Sequence, residues 1–306
     1  MLGRTRRRLS AVLSPTIVRR WRALLFWSEV LSRRLAHGFA AAAAGVKPRT
    51  RVLFYPSLPG LHMIALKLCL ALGWGVTADP SKRADIVFHW NSSTFAEVDG
   101  TLESLASRHR VLNRECVDIS KTNVNRVFAK AFGYTLGVDP RTHVGECVEK
   151  SDLNASHDGR IVMCPIVEPQ EGAAYQRVVD NVRDDGRVMD IRVPIVGRTI
   201  PLAYLRFRPV DSRFRSGNEE AQIAQVHDAL TGSEITDILR FCELLGLDYG
   251  ELDVLRDRAD GRIYVVDANP TPWGPPSGIS SVDARRAITV LAAAFESEFL
   301  LGGARP

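Results

Sequence analysis

The chain has no Cys-x-x-Cys pair, and its five cysteines (Cys69, Cys116, Cys147, Cys164 and Cys242) are scattered and odd in number. Reduced thiols in a cytoplasmic protein are the simplest reading. No apolar run reaches the length of a membrane-spanning helix. Pro15 and the pairs Arg19-Arg20 and Arg33-Arg34 also break up any signal-like stretch before Ala40–Ala44. Neither a Ser-His-Asp nor a Cys-His constellation stands out, so nothing calls for a covalent enzyme nucleophile. Acids are nearly missing from residues 1–51, where 12 Lys and Arg face the single Glu29, a net of +11. The remainder holds 28 Lys and Arg against 34 acids, a net of −6. The high pI of about 9.1 therefore belongs to an N-terminal arm, and the folded body is not expected to bind nucleic acid.

What is present is enough sequence, 306 residues, for two or three subdomains with real cores. Residues 15–44 read as a helix: Trp21, Leu24, Leu25, Trp27, Val30, Leu31 and Leu35 recur near a 3.6 spacing, flanked by arginines. Such a helix either packs on protein, its own or a partner's, or lies on an anionic membrane surface. Lys47-Pro48 marks a linker. Beyond it, Arg51–Pro56, Trp74–Val76 and Asp85–Trp90 read as strands with a helix between the first two, which predicts a small α/β layer of parallel strands.

The late part of the chain carries the most chemistry. Gly250-Glu251-Leu252-Asp253-Val254 and Ile263-Tyr264-Val265-Val266-Asp267-Ala268-Asn269-Pro270 flank an Asp260-Gly261 turn, the mark of a hairpin. Asp253 sits on the first strand. Asp267 and Asn269, two apart on the second, point to one face. Three hard oxygen donors suit Mg²⁺, which completes its shell with water and substrate phosphates. Upstream, Lys150 ends a strand and opens the polar stretch 151–160, and a strand follows at 161–167. Ser120 is a suitable N-cap for a helix opening on Lys121. Asp190 and Arg192 alternate in phase on a further strand, ahead of Arg206, Arg208, Arg213 and Arg215. Residues 220–246 read as one helix with an apolar core face.

In this order, over residues 50–300, the motifs resemble the ATP-grasp superfamily. The hairpin is similar to its Gly-x-Asp strand and Glu-x-Asn-Pro strand, with Asp267 where Glu is usual. Asp-Ile-Arg and the Phe-Arg-Ser-(Gly)-Asn run (with one inserted residue) resemble carboxylate–amine ligases such as the ribosomal-protein glutamate ligase and tubulin tyrosine ligase. The resemblance implies an α/β (α+β) chain: an arm over 1–48, an N-terminal α/β domain over 49–118, and an ATP-grasp domain over 119–302. Its two lobes, about 119–180 and 181–302, would clamp ATP.

The resemblance also implies roles. Lys121 and Lys150 would reach the phosphates. The family's covering loop is richer in glycine, so Asn154, Ser156 and His157 would share that task here. Tyr175–Asp180 would be the hinge strand, with Gln176, Arg177, Val179 and Asp180 around adenine and ribose, and Asp190 nearby. Arg192, Arg208, Arg213 and Arg215 would stabilise an acyl-phosphate and a tetrahedral oxyanion. Asp253, Asp267 and Asn269 would hold Mg²⁺, with Mn²⁺ as the alternative ion. The implied reaction is ATP-dependent activation of a small-molecule or peptide carboxylate for attack by an amine or another nucleophile such as a thiol. A small-molecule kinase of the same fold and a non-catalytic nucleotide binder are the alternatives.

Overall fold

The computed structural model describes residues 50–301 apart from 157, 215 and 216. The expected helix over 15–44, and with it any membrane or partner contact, lies outside the described residues. So do His157 and Arg215. Among the described residues, no helix is long and apolar enough to cross a membrane.

Three sheets organise the described residues. The first is parallel and four-stranded, in the order β2-β1-β3-β4 (Gly75–Thr77, Arg51–Pro56, Ile86–Trp90, Val111–Leu112). Every residue of β3 is buried, as expected of a parallel strand covered on both faces. Helices α1 (Ile64–Ala71) and α2 (Gly100–Ala106) belong to this part. The second sheet is antiparallel, in the order β6-β5-β7 (Arg160–Cys164, Gly145–Ser151, Ala173–Arg177), and is preceded by α3 (Lys121–Phe132). The third is antiparallel and five-stranded, β10-β9-β8-β11-β12, built from Glu220–Ala224, Ala203–Pro209, Arg187–Val196, Tyr249–Arg256 and Ile263–Asn269. Helices α4 (Val226–Ala229), α5 (Gly232–Leu245) and α6 (Ser281–Glu296) complete the order.

Alternation along the third sheet separates its two faces. Ile191, Val193 and Ile195 of β8, with Leu252 and Val254 of β11, enter one core with Val124, Val127 and Phe128 of α3 and Ile238, Phe241 and Leu245 of α5. Each such buried side chain stabilises the fold by about 1.5–3 kcal/mol relative to exposure. The intervening residues Asp190, Arg192, Glu251 and Asp253 face the other way. Farther along that opposite face an aromatic cluster joins the sheets: the Phe88 ring lies 5.5 Å from Tyr249 and 5.8 Å from Phe295.

The expected helix over 220–246 is three elements instead. Glu220–Ala224 is edge strand β10, paired with β9, and Leu230 is extended. The long helix starts only after Thr231, whose hydroxyl accepts from the Glu234 N–H while the Glu234 carboxylate accepts from the Thr231 N–H. This capping box sets the start, at Gly232, that apolar spacing alone placed twelve residues too early. Gly246 ends the helix at φ +75, and a Cβ there would lie 2.6 Å from the Glu115 carbonyl carbon. Gly246→Ala is therefore expected to lower stability by more than the ~1–2 kcal/mol of a left-handed non-glycine residue. Urea unfolding measures this, and a wild-type midpoint would contradict it.

Candidate nucleotide and metal site

The β11–β12 hairpin contains a feature that strict alternation hides. Asp253 pairs with Asp267, but Val254 pairs with Val265, so Val266 is an extra, bulged residue. Val265 can therefore enter the core beside Val254 while Asp267 faces out beside Asp253. On the next rung Glu251 pairs with Asn269. Two rungs of one face thus carry three carboxylates and an amide.

The lysines converge on this strand from elsewhere in the chain. The bulged Val266 carbonyl accepts from Lys150 Nζ at 3.0 Å. Lys150 is partly exposed by surface area yet ringed by protein, and burial lowers its pKa to about 8, against the opposing pull of Asp267. Lys121 is the first residue of α3, whose N-cap hydroxyl, Ser120 Oγ, accepts from the Asn123 N–H. Its buried ammonium donates to Asp267 Oδ1 at 2.5 Å and to Asn154 Oδ1 at 3.4 Å. Asn154 is positioned in turn by its N–H, which donates to Thr94 Oγ1 at 2.8 Å. Ser156 Oγ donates to the Leu153 carbonyl at 3.3 Å, within its own loop.

A chain of alternating charges runs across β9, β8 and β11. Arg208 pairs with Asp190. Arg206 lies 3.3 Å from Asp190 and 3.0 Å from Asp253. Arg192 Nε donates to Asp253 Oδ1 at 3.0 Å, and its Nη1 lies 3.2 Å from Glu251 Oε2. The register explains this order, since Asp190 lies opposite Arg206 and Arg192 opposite Asp253. Burial opposes the Asp253 charge most strongly, yet Arg192 and Arg206 overcome it and hold the carboxyl well below the usual range. Glu251, deeper and flanked by less positive charge, is pushed by burial up to about 7, with Arg192 opposing.

Unmet polar atoms gather here. Among the described residues, Tyr204 Oη, Tyr249 Oη, Arg206 Nε and both Glu251 carboxylate oxygens are buried and find no hydrogen-bond partner. The Arg192–Glu251 approach is close enough for an ion pair but misaligned for a hydrogen bond. Buried polar groups are normally satisfied, so such a concentration marks a place completed by water or a polar ligand.

The expected adenine-side residues lie along β7 and beyond it. Gln176 is buried and donates to Asn125 Oδ1 at 2.7 Å. The Arg177 N–H donates to the Leu136 carbonyl, and its guanidinium stacks 4.9 Å from the Tyr264 ring centre. The Val179 carbonyl accepts from Arg213 Nη2 at 3.0 Å. Asp180 is exposed and accepts from the Val182 N–H at 3.2 Å. Two backbone groups of the expected hinge, the Arg177 N–H and the Val179 carbonyl, thus already have protein partners. This narrows what the segment offers a purine edge. Arg213 also donates to Asn181 Oδ1, and Asn181 Nδ2 to Asp190 Oδ1, which links Arg213 to the charge chain.

As a test of fit for a divalent ion, Asp267 and Asn269 supply hard oxygens beside two lysines that could hold phosphate. Asn269 Oδ1 already accepts from the Thr271 N–H at 2.9 Å. Among the described residues, no three His, Cys, Asp or Glu side chains form a ready-made cage. Mg²⁺ is commonly held by one or two protein carboxylates and takes the rest of its shell from water and phosphate. Asp253 joins such a shell only by exchanging an arginine for the ion. Sequence reasoning passed over Glu251 and Asn181. The signal for Glu251 was its position two residues before Asp253, on the same face.

No family model matches the chain, and no curated protein does. Among solved structures it is similar to the ATP-grasp ligase PsnB complexed with a phosphomimetic variant of its minimal precursor, Mg and ADP. That match has a TM-score of 0.51 and 15% identity over 81% of this chain and 100% of the other. PsnB with its minimal precursor gives 0.50 and 17% over 74% and 92%. D-alanine–D-alanine ligase from Bacillus anthracis with ATP gives 0.51 and 12% over 82% and 95%. These likenesses show the fold, which is the ATP-grasp fold.

Proposed function

We propose, from this ATP-grasp fold, that the chain is an ATP- and Mg²⁺-dependent ligase that activates a substrate carboxylate as an acyl-phosphate for attack by an amine or another nucleophile. One observation carries the reading: Lys121 and Lys150, from α3 and β5, close on Asp267 and its bulged neighbour Val266. Lysines from separate elements meeting an acidic strand make a place where a polyphosphate and its cation neutralise each other. PsnB and the D-alanine ligase, similar in fold, are ligases, and their structures contain ADP with Mg or ATP.

In this reading Lys121 and Lys150 hold phosphate oxygens, and Asn154 and Ser156 lie in the loop that covers them. Asp267, Asn269 and Asp253 would hold the ion, which when bound would neutralise phosphate charge. Arg192 and Arg206 sit where charge develops during transfer, and Arg208 and Arg213 anchor them through Asp190 and Asn181. Phosphoryl transfer asks for positioning and charge neutralisation more than for a covalent partner, and these side chains supply both. The three sheets serve as the substrate side and the two clamping lobes.

Incubation with Mg-ATP, hydroxylamine and a panel of amino acids and peptides tests the reaction class. Hydroxamate with stoichiometric ADP is the expected outcome for an acyl-phosphate. A phosphorylated acceptor without hydroxamate would make the chain a kinase instead. Nucleotide bound without turnover of any acid or acceptor would make it a binder.

A further inference from the structure

The second sheet holds a feature that the nucleotide site does not use. Cys147 of β5 and Cys164 of β6 are 0% and 4% exposed, and their sulfurs lie 2.8 Å apart. Cys147 pairs with Val162 across the two strands, so Cys164 is its diagonal neighbour on the same face. Both pack with Tyr175 in a small cluster. The sulfurs are closer than an ordinary non-bonded contact and need less than ~1 Å of further approach to reach the ~2.05 Å of a covalent bond. We propose that Cys147 and Cys164 form an intramolecular disulfide under oxidising conditions, a modification that staples the hairpin carrying Lys150 and the loop 151–159.

The placement explains how a buried pair reacts. Burial, and then the hydrogen bond with Cys164, pushes the Cys147 thiol up to about 12, so it is a poor nucleophile while the strands are closed. Strand β6, however, is the edge of its sheet, and Ile161 and Met163 are 41% and 67% exposed. Edge strands with few buried contacts open locally at low free energy. On opening, one cysteine loses its proton to solvent and attacks a small-molecule disulfide such as oxidised glutathione, expelling one glutathione thiolate. The second cysteine thiolate then attacks the mixed disulfide and expels the other. Two protein thiols become one S–S bond, two protons leave, and the oxidant takes up two electrons as two reduced thiols.

The full chain is incubated with oxidised glutathione, blocked with iodoacetamide and digested with trypsin without reduction. Cleavage after Arg141, Lys150, Arg160 and Arg177 gives peptides 142–150 and 161–177, one cysteine in each. The expected product is these two peptides joined, released by dithiothreitol, from a protein whose Tm has risen by several degrees through closure of the loop. Cys164→Ala and, separately, Cys147→Ser should each abolish the linked peptide and the Tm rise. A linked peptide joining Cys116 to Cys242 would overturn the proposal. So would arrest at the glutathione adduct, or thiols at 147 and 164 that stay alkylatable throughout. The unmutated chain alone decides these outcomes, so poor folding of a variant leaves the result intact.

Discussion

Under the proposed function, in which Asp267 is a cation ligand beside phosphate, Asp267→Ala is expected to reduce Mg-ATP turnover about 100-fold or more. Two effects combine. The strand loses its outward carboxylate next to Asn269, and Lys121 loses the partner at 2.5 Å that holds its buried ammonium. The second effect alone should destabilise by about 1–3 kcal/mol, below the range for fully buried pairs because Asp267 keeps solvent contact. Asp267→Glu separates the roles. It keeps the charge and adds a methylene, and turnover within about 10-fold of wild type is expected if metal and phosphate binding is what matters. ADP release in the presence of Mg²⁺ measures the first effect and thermal unfolding without nucleotide the second. Full turnover by the alanine variant would remove Asp267 from the proposed metal site.

Much of this site was legible because hairpins and alternation announce themselves. Asp-Gly between two apolar runs gave the β11–β12 hairpin, and Ser120 gave the start of α3. The order Lys121, Lys150, Arg192, Asp253, Asp267, Asn269 placed each group on an element that exists. Less legible features depend on contacts between distant residues. Period-two alternation puts Val265 and Asp267 on one face; only pairing with Asp253 and Val254 reveals the bulge that separates them. Residues 220–246 carried helix-like spacing throughout, yet strand β9 claims 220–224 as its partner, a choice no local propensity records. Of the four arginines of 206–215, the family resemblance implies catalytic roles for Arg208, Arg213 and Arg215 and none for Arg206. Arg206 and Arg208, the two on β9, are also structural, because each has a buried carboxylate as its partner.

Asp253→Ala should be the most destabilising substitution on this face. Arg192 and Arg206 both point at Asp253, and its removal leaves the buried Arg206 and the partly buried Arg192 sharing only Asp190 and Glu251. Removing one partner of such a pair costs about 3 kcal/mol, the lower end of the range for buried pairs because the Asp253 side chain is 25% exposed, and still a large part of the 5–15 kcal/mol that holds a typical domain together. The double variant Asp253→Ala with Arg206→Leu should recover roughly 1 kcal/mol or more, because it restores the balance of charge along the chain of pairs. Urea unfolding of wild type, both single variants and the double variant closes the cycle. Strict additivity would mean that the arginines reorganise toward solvent and that the alternating chain carries no coupling. A recovered double variant would show the opposite: this face is held in place by mutual neutralisation, so under the proposed function a phosphate would take over an arginine only by displacing a carboxylate. Under that proposal, Arg192, Arg206 and Asp253 support the fold and, through this exchange, serve the reaction as well.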